Sequence, residues 1–217
     1  MRSIALNLNG YTDLPPGKIA TVVTYLEMTR RPRLKARPKD PAWRLVRIDR
    51  DIPRYRALFR RVGEPWLWFS RLAMPEAQLA AILGHPDVEA YALQDAGGDI
   101  GLVELDFRRS GECELQYFGV VPERVGTGAG RHLMDRAIRR AFARPVARFM
   151  LHTCSLDHPA ALPFYLRSGF VPTKRAIEVA DDPRLTGRVP RGAAPQVPVI
   201  GDAPPPLRTS ARARRPR

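Results

Sequence analysis

Three glycines spaced two apart, Gly126, Gly128 and Gly130, are the residues whose type and spacing speak most directly of chemistry. Without Cβ atoms they leave backbone N–H groups open to a ligand. Leu133, Met134, Ala137, Ile138 and Ala141 follow at helical spacing, so a helix starts at the glycines. A helix N-terminus leaves up to about four N–H groups unpaired and carries roughly +0.5 charge, which makes this turn an anion site suited to a phosphate group. Two familiar phosphate motifs fail on the residues. No Gly-Lys-Ser/Thr follows, because Arg131 stands where an NTPase loop would carry its lysine. Nor does the turn open an early βαβ unit with an acidic residue closing the next strand, as a dinucleotide site requires.

Upstream of the glycines, Glu112 to Val121 alternates polar Glu114 and Gln116 with Leu, Tyr, Phe and Val, the pattern of a half-buried strand that Pro122 stops. The run Val121-Pro122-Glu123-Arg124-Val125-Gly126-Thr127-Gly128-Ala129-Gly130 resembles motif A of the GCN5-related N-acetyltransferases, V-x-P-x-x-[QR]-G-x-G-x-G/A. It departs at Val125, where the family usually carries Gln or Arg, with Arg124 or Arg131 at hand to supply charge. About 30 residues on, Thr153 to Phe170 resembles motif B, N-x-x-A-x-x-x-Y-x-x-x-G-F, with His158, Ala161, Tyr165, Gly169 and Phe170 in the matching places and His158 standing for Asn.

The resemblance implies the acyl-CoA N-acyltransferase fold, an α/β (α+β) arrangement with a mixed central sheet that splays at the cofactor cleft. It implies acetyl-CoA as acyl-donor cosubstrate and a primary amine of a small molecule or peptide as acceptor. The pyrophosphate would lie on Gly126, Thr127, Gly128, Ala129, Gly130 and Arg131, near His158, and the acetyl and pantetheine arm along Phe118, Gly119 and Val120, with the Val120 N–H polarising the carbonyl. Tyr165 matches the family's tyrosine that protonates the CoA thiolate, and a phenol of pKa about 10 suits that leaving group. Glu114 lies eleven residues before Val125, the offset at which histone-type members carry a catalytic glutamate. Glu104, His152 and Asp157 are rivals for the base, and water alone serves many members. Trp66, Trp68, Phe69 and Tyr55 would build the acceptor pocket, although the same aromatics suit the buried face of an amphipathic helix. A non-catalytic acyl-CoA-binding or regulatory module on the same fold is the alternative reading.

Elements that position these residues follow in order. Lys18 to Met28 reads as a β segment by its Val, Thr and Tyr content, pairing with a sheet edge or with a partner subunit to make a homodimer. Basic, proline-rich Thr29 to Pro41 is a linker. The acetyltransferase domain spans 42–180: a strand at 43–49, helices at 51–62 and 75–83, a meander of strands at 88–94, 99–107 and 112–121, the helix at 128–143, a strand at 146–153, a helix at 159–168, and a last strand to about Val179.

With 217 residues and 44% hydrophobic content the chain can bury one sizeable core. No apolar run approaches the ~20 residues of a membrane span, and the first ten residues have no signal-peptide core, so a cytoplasmic protein is expected. The net charge of +14 is uneven: eight basic against three acidic residues in 1–40 and again in 181–217, but twenty against sixteen between. A near-neutral centre argues against a nucleic-acid groove on the domain. Cys113 and Cys154, with His85, His132, His152 and His158, form no metal-ligand spacing, so no metal is expected. Eight prolines and eight arginines in 181–217 give a tail, whose first part, through Ile200, could lie over the domain and whose end, 204–217, is expected to be disordered.

Overall fold

In the computed structural model, which describes residues 5–34 and 43–201, the chain forms seven strands and five helices among those residues. Strand β1 is Lys18–Met28 and β2 Arg44–Arg47. Helices α1 (Ile52–Gly63), α2 (Ser70–Ala73) and α3 (Glu76–Leu83) come next, with a 3-10 turn at Glu64–Trp66. The meander is β3 (Val88–Asp95), β4 (Gly98–Asp106) and β5 (Glu112–Val120). Helix α4 (Ala129–Ala141), β6 (Arg148–Cys154), α5 (Ala161–Ser168) and β7 (Val171–Asp181) complete the order. Residues 35–41 of the linker and the run 204–217 lie outside the described residues.

Local chemistry fixes the helix ends. Asp51 caps α1, its Oδ1 accepting from the Arg54 N–H at 3.1 Å, with Pro53 in the first turn. Tyr55, Leu58, Phe59 and Val62 then form one buried face, and α4 buries Leu133, Met134, Ala137, Ile138 and Ala141 in the same core.

All strands belong to one mixed sheet, in the order β2-β3-β4-β5-β6-β1-β7. The meander is antiparallel throughout. β1 is no edge strand: it lies between β6 and β7, antiparallel to both, pairing Val23 to Met28 with Cys154 to Phe149 and Lys18 to Glu27 with Asp181 to Val171. The bulge in the β1–β7 pairing lies on β7, at Thr173, and leaves the alternation of β1 unbroken: Leu26 and Met28 join the main core, while Thr21 and Val23 are buried on the opposite face of the sheet. The outer edge of the sheet on this side is β7.

Residues 182–201 lie against the domain. Arg184, buried, pairs with Asp182 Oδ2 at 2.7 Å and donates to the carbonyls of Ala193, Ala194 and Val197. A buried guanidinium is tolerable only when so paired and hydrogen-bonded. Around it Val189, Ala193 and Ala194 bury against Leu67, with Ile19, Phe69 and Leu156 packed alongside.

Candidate active site

The parallel pairing of β5 with β6 covers only Glu112 to Glu114 against Arg148 to Met150. Beyond it the two strands part. Gln116 is bulged out of the β4–β5 ladder, because Glu104 faces Tyr117 while Leu105 faces Leu115, and the bulge turns the rest of β5 away from β6. The Val121 N–H donates to Ile100 O at 3.0 Å, toward the meander. Alternation along the strand therefore turns the Val120 N–H to the opposite edge, which β6 has left. Gly119 permits this arrangement: a Cβ there would sit 2.5 Å from Val62 Cγ1 of α1.

A cleft of about 400 Å³ fills the opening, walled by Phe118, Gly119 and Val120, by the glycine turn, and by α5. Gly126 and Gly128 take left-handed conformations, φ 82° and 91°, which only glycine adopts without strain. A Cβ on Gly126, Gly128 or Gly130 would meet nothing within 4 Å, so the turn faces open space. Gly128 has no side chain to cap α4, and Thr127 Oγ1 takes only the Ala129 N–H, at 3.4 Å, which leaves the next first-turn N–H groups, of Gly130 and Arg131, without a side-chain cap beside the cleft. Phe118 stacks on Phe164 with centroids 5.7 Å apart. His158 lines the cleft and does what an asparagine does at a turn: its Nδ1 accepts from the Ala160 N–H at 3.0 Å, just before α5. Its ring meets Trp66 edge-on at 4.9 Å.

A second cavity, of about 240 Å³, lies beyond the same wall, between β1, β5, β6, β7 and the aromatic stretch 66–70. Trp66, Trp68, Phe118, Asp157 and Tyr165 line both spaces. Asp157 is held from three sides, by Trp68 Nε1 at 3.0 Å, Thr153 Oγ1 at 2.7 Å and the Cys154 N–H at 2.8 Å. Tyr165 is buried among Phe118, Phe164 and Phe170. Burial, then the charge of Asp157, pushes its hydroxyl pKa well up, so it stays protonated.

Among the base candidates, Glu114 lines neither cavity; it borders a polar depression with Asp106, Arg108, Arg109, Glu112 and Gln116. Its Oε1 stands 3.7 Å from Nδ1 of His152, and His152 does line the second cavity. The Glu114 carboxylate, against burial and with help from Asp157 and Glu178, holds the imidazole above its usual range. Glu104 is fully buried, bonded to Tyr55 Oη and to Arg71 Nη2, and the Arg71 guanidinium lies 5.1 Å over the Tyr117 ring. It is a structural charge.

Of the cofactor residues read from the sequence, Phe118, Gly119, Val120, Gly126, Gly128, Gly130, Arg131 and His158 line the cleft. Thr127 and Ala129 do not: Thr127 turns its hydroxyl to Arg124 O at 2.8 Å, and Ala129 is buried under the turn. Arg124 is tied to Asp95, and Arg131 reaches Ser168 Oγ at 3.1 Å, so neither replaces the missing Gln or Arg freely. Arg167, absent from the sequence reading, lines the cleft from the last turn of α5. Trp66, Trp68 and Phe69 line the second cavity, but Tyr55 is fully buried, because its hydroxyl is the partner of Glu104. The sequence reading also missed Ile19, Thr21, Glu178 and Ala180; only the insertion of β1 beside β7 brings them here.

Comparison with known proteins agrees with this geometry. Among curated proteins none matches the sequence. Solved structures share the fold at low identity. A GCN5-related N-acetyltransferase from Sphaerobacter thermophilus has a TM-score of 0.55 at 16% identity, over 75% of this chain and 52% of its own. A GNAT-family protein from Novosphingobium aromaticivorans has 0.52 at 18%, over 77% and 68%. An aminoglycoside acetyltransferase from an uncultured soil sample has 0.50 at 14%, over 60% and 89%. This chain thus spans about half the length of the Sphaerobacter protein. The model of the acetyltransferase (GNAT) family matches residues 55–170, more than half of the sequence and the whole of the cleft's two motifs, and the chain belongs to that family.

Proposed function

We propose that the protein transfers an acetyl group from acetyl-CoA to a primary amine. The observation that carries this reading is the shared wall: a glycine-lined cleft and a separate aromatic cavity meet at Trp66, Trp68, Phe118, Asp157 and Tyr165. Two reactants could approach each other there from opposite sides.

The cleft fits a phosphate-bearing arm. Its glycines have no Cβ to hold a ligand away, the N–H groups of Gly130 and Arg131 in the first helical turn have no side-chain cap, and Arg167 lines it from α5. Acetyl-CoA supplies an activated carbonyl and a thiolate leaving group. Asp157 draws the ammonium to the junction. His152, oriented by Glu114, takes the amine's proton directly or through a water, leaving a neutral nucleophile. The outward Val120 N–H faces the carbonyl oxygen as negative charge develops on it. Tyr165 gives its proton to the departing sulfur, so that the products are an amide and the free thiol.

Calorimetric titration of acetyl-CoA into the wild type and a Gly130→Glu variant tests the cofactor. Gly130 lies in the first helical turn with open space where its Cβ would be, so glutamate fits the backbone while placing a carboxylate at the anion site. Binding to wild type that is lost in the variant supports the reading. Absence of binding to wild type sinks it; binding without thiol release in the presence of any amine leaves a non-catalytic acyl-CoA module.

A further inference from the structure

We propose that the acceptor is a small amine with an aromatic or alkyl body and no anionic group, its ammonium at Asp157 and its body running toward Glu178. This rests on the transferase reading above and names the substrate class of the same site.

Charge is the first argument. The chain carries 36 Lys and Arg residues and a net charge of +14, yet neither residue type lines the second cavity. Its lining carboxylates are Asp157 at the junction and Glu178 on β7. The donors that hold Asp157 are an indole, a hydroxyl and a backbone N–H, which fix its position and leave its charge uncompensated. Among the described residues, no ion pair neutralises Glu178. The one basic lining group, His152, faces Glu114. A carboxylate or phosphate on the acceptor would therefore meet the like charges of half-buried Asp157 and of Glu178 on the exposed rim. A cation would meet opposite ones.

The walls are the second argument. Leu67, Phe69, Leu115, Tyr117 and Leu156 surround the space between the two carboxylates, surface that favours an apolar body over a hydroxyl-rich one. At about 240 Å³ it falls below the ~300–1,000 Å³ of sites that take drug-sized ligands, a size that suits a one-ring or short alkyl amine better than a multi-ring amino sugar.

Tyramine and tyrosine share a body and differ by one carboxylate. Both, with sisomicin, are titrated into the protein with and without CoA and assayed for thiol release with acetyl-CoA; the same is done for Glu178→Gln and Glu178→Lys, at an exposed strand position. The expected result is tyramine favoured over tyrosine by at least about tenfold, a gap that narrows several-fold in Glu178→Gln and further in Glu178→Lys. Equal handling of tyramine and tyrosine, tighter binding of sisomicin, or no binding of any small amine overturns the inference while leaving acetyl-CoA binding as its own result. Charge discrimination without acetyl-CoA binding supports the cavity assignment and defeats the transferase reading instead.

Discussion

Trp68 Nε1 donates to Asp157 Oδ1 at 3.0 Å and so ties the aromatic stretch before α2 to the loop after β6, across the wall between the two cavities. Trp68→Phe keeps a ring in the wall and removes only the N–H. A hydrogen bond to a charged group contributes about 1.5–3 kcal/mol, so the amine KM should rise about tenfold or more. The acetyl-CoA KM should move much less. Steady-state kinetics in both substrates checks this; equal changes in the two would mean the bond only holds the wall together.

Tyr165→Phe removes a proton donor and leaves the packing against Phe118, Phe164 and Phe170 in place. Loss of a general acid costs typically about 10²–10⁴-fold in rate, and the loss should appear in kcat with acetyl-CoA binding retained. Because burial and then Asp157 keep the hydroxyl protonated, wild-type activity should show no alkaline limb from Tyr165 near neutral pH. An unchanged kcat in the variant would remove Tyr165 from the chemistry.

His152 must be neutral to take a proton. Glu114 on β5, Asp157 after β6 and Glu178 on β7 all favour its charged form, with Tyr25 of β1 against its ring at 5.7 Å. A raised pKa in the folded state means that its contribution to stability is present below the ordinary value of about 6.5 and lost as pH rises through the folded value. Activity runs the other way, rising with pH through that same value. Glu114→Gln removes the largest cause of the shift, so the acidic limb of kcat/KM should move to lower pH. If Glu114 were itself the base, its removal would abolish activity at every pH, which a pH–rate profile distinguishes.

What the sequence disclosed and what it withheld divide along physical lines. The glycine turn was legible because its signals are local: residues that tolerate positive φ, then a helical apolar period. The place of His158 beside the cleft was readable through its motif position, whereas its acceptance of the Ala160 N–H was not. The second cavity was not, since Ile19 and Thr21 reach it only through a pairing of β1 with strands more than 120 residues away, and no propensity encodes that register. Tyr55 misled because an apolar face at helical spacing looks the same whether it lines a pocket or a core; Glu104, itself buried, decided between them. That residues through Ile200 could lie over the domain was open in the sequence, but Arg184 was hidden among eight arginines, none of which composition marks as the buried centre of residues 182–201.

Glu104→Gln tests the charge beneath the site. The change keeps shape and removes the anion that faces Arg71 and Tyr55 in a fully buried position. Breaking such a pair by removing one partner costs about 3–5 kcal/mol, because the remaining charge stays buried. Denaturant unfolding should show that loss with an unchanged slope. A change below about 1 kcal/mol would mean that Arg71 turns to solvent instead.

Arg184 connects the C-terminal segment to the second cavity, the one proposed for the acceptor. Leu67, Phe69, Leu156 and Ile19 line that cavity, and the same four residues pack against the segment that Arg184 organises. Arg184→Ala leaves Asp182 buried without its cation and frees the carbonyls of Ala193, Ala194 and Val197, so 182–201 should detach while the sheet and α4 hold. Limited proteolysis should then cut in this segment, and the amine KM should rise several-fold with acetyl-CoA affinity intact, since none of the segment's residues lines the cofactor cleft. Replacing both partners, Asp182→Leu with Arg184→Met, removes the uncompensated charge and should restore part of the protease resistance. Rapid cleavage with an unaltered amine KM would show that the segment only covers the cavity wall and does not hold it in shape.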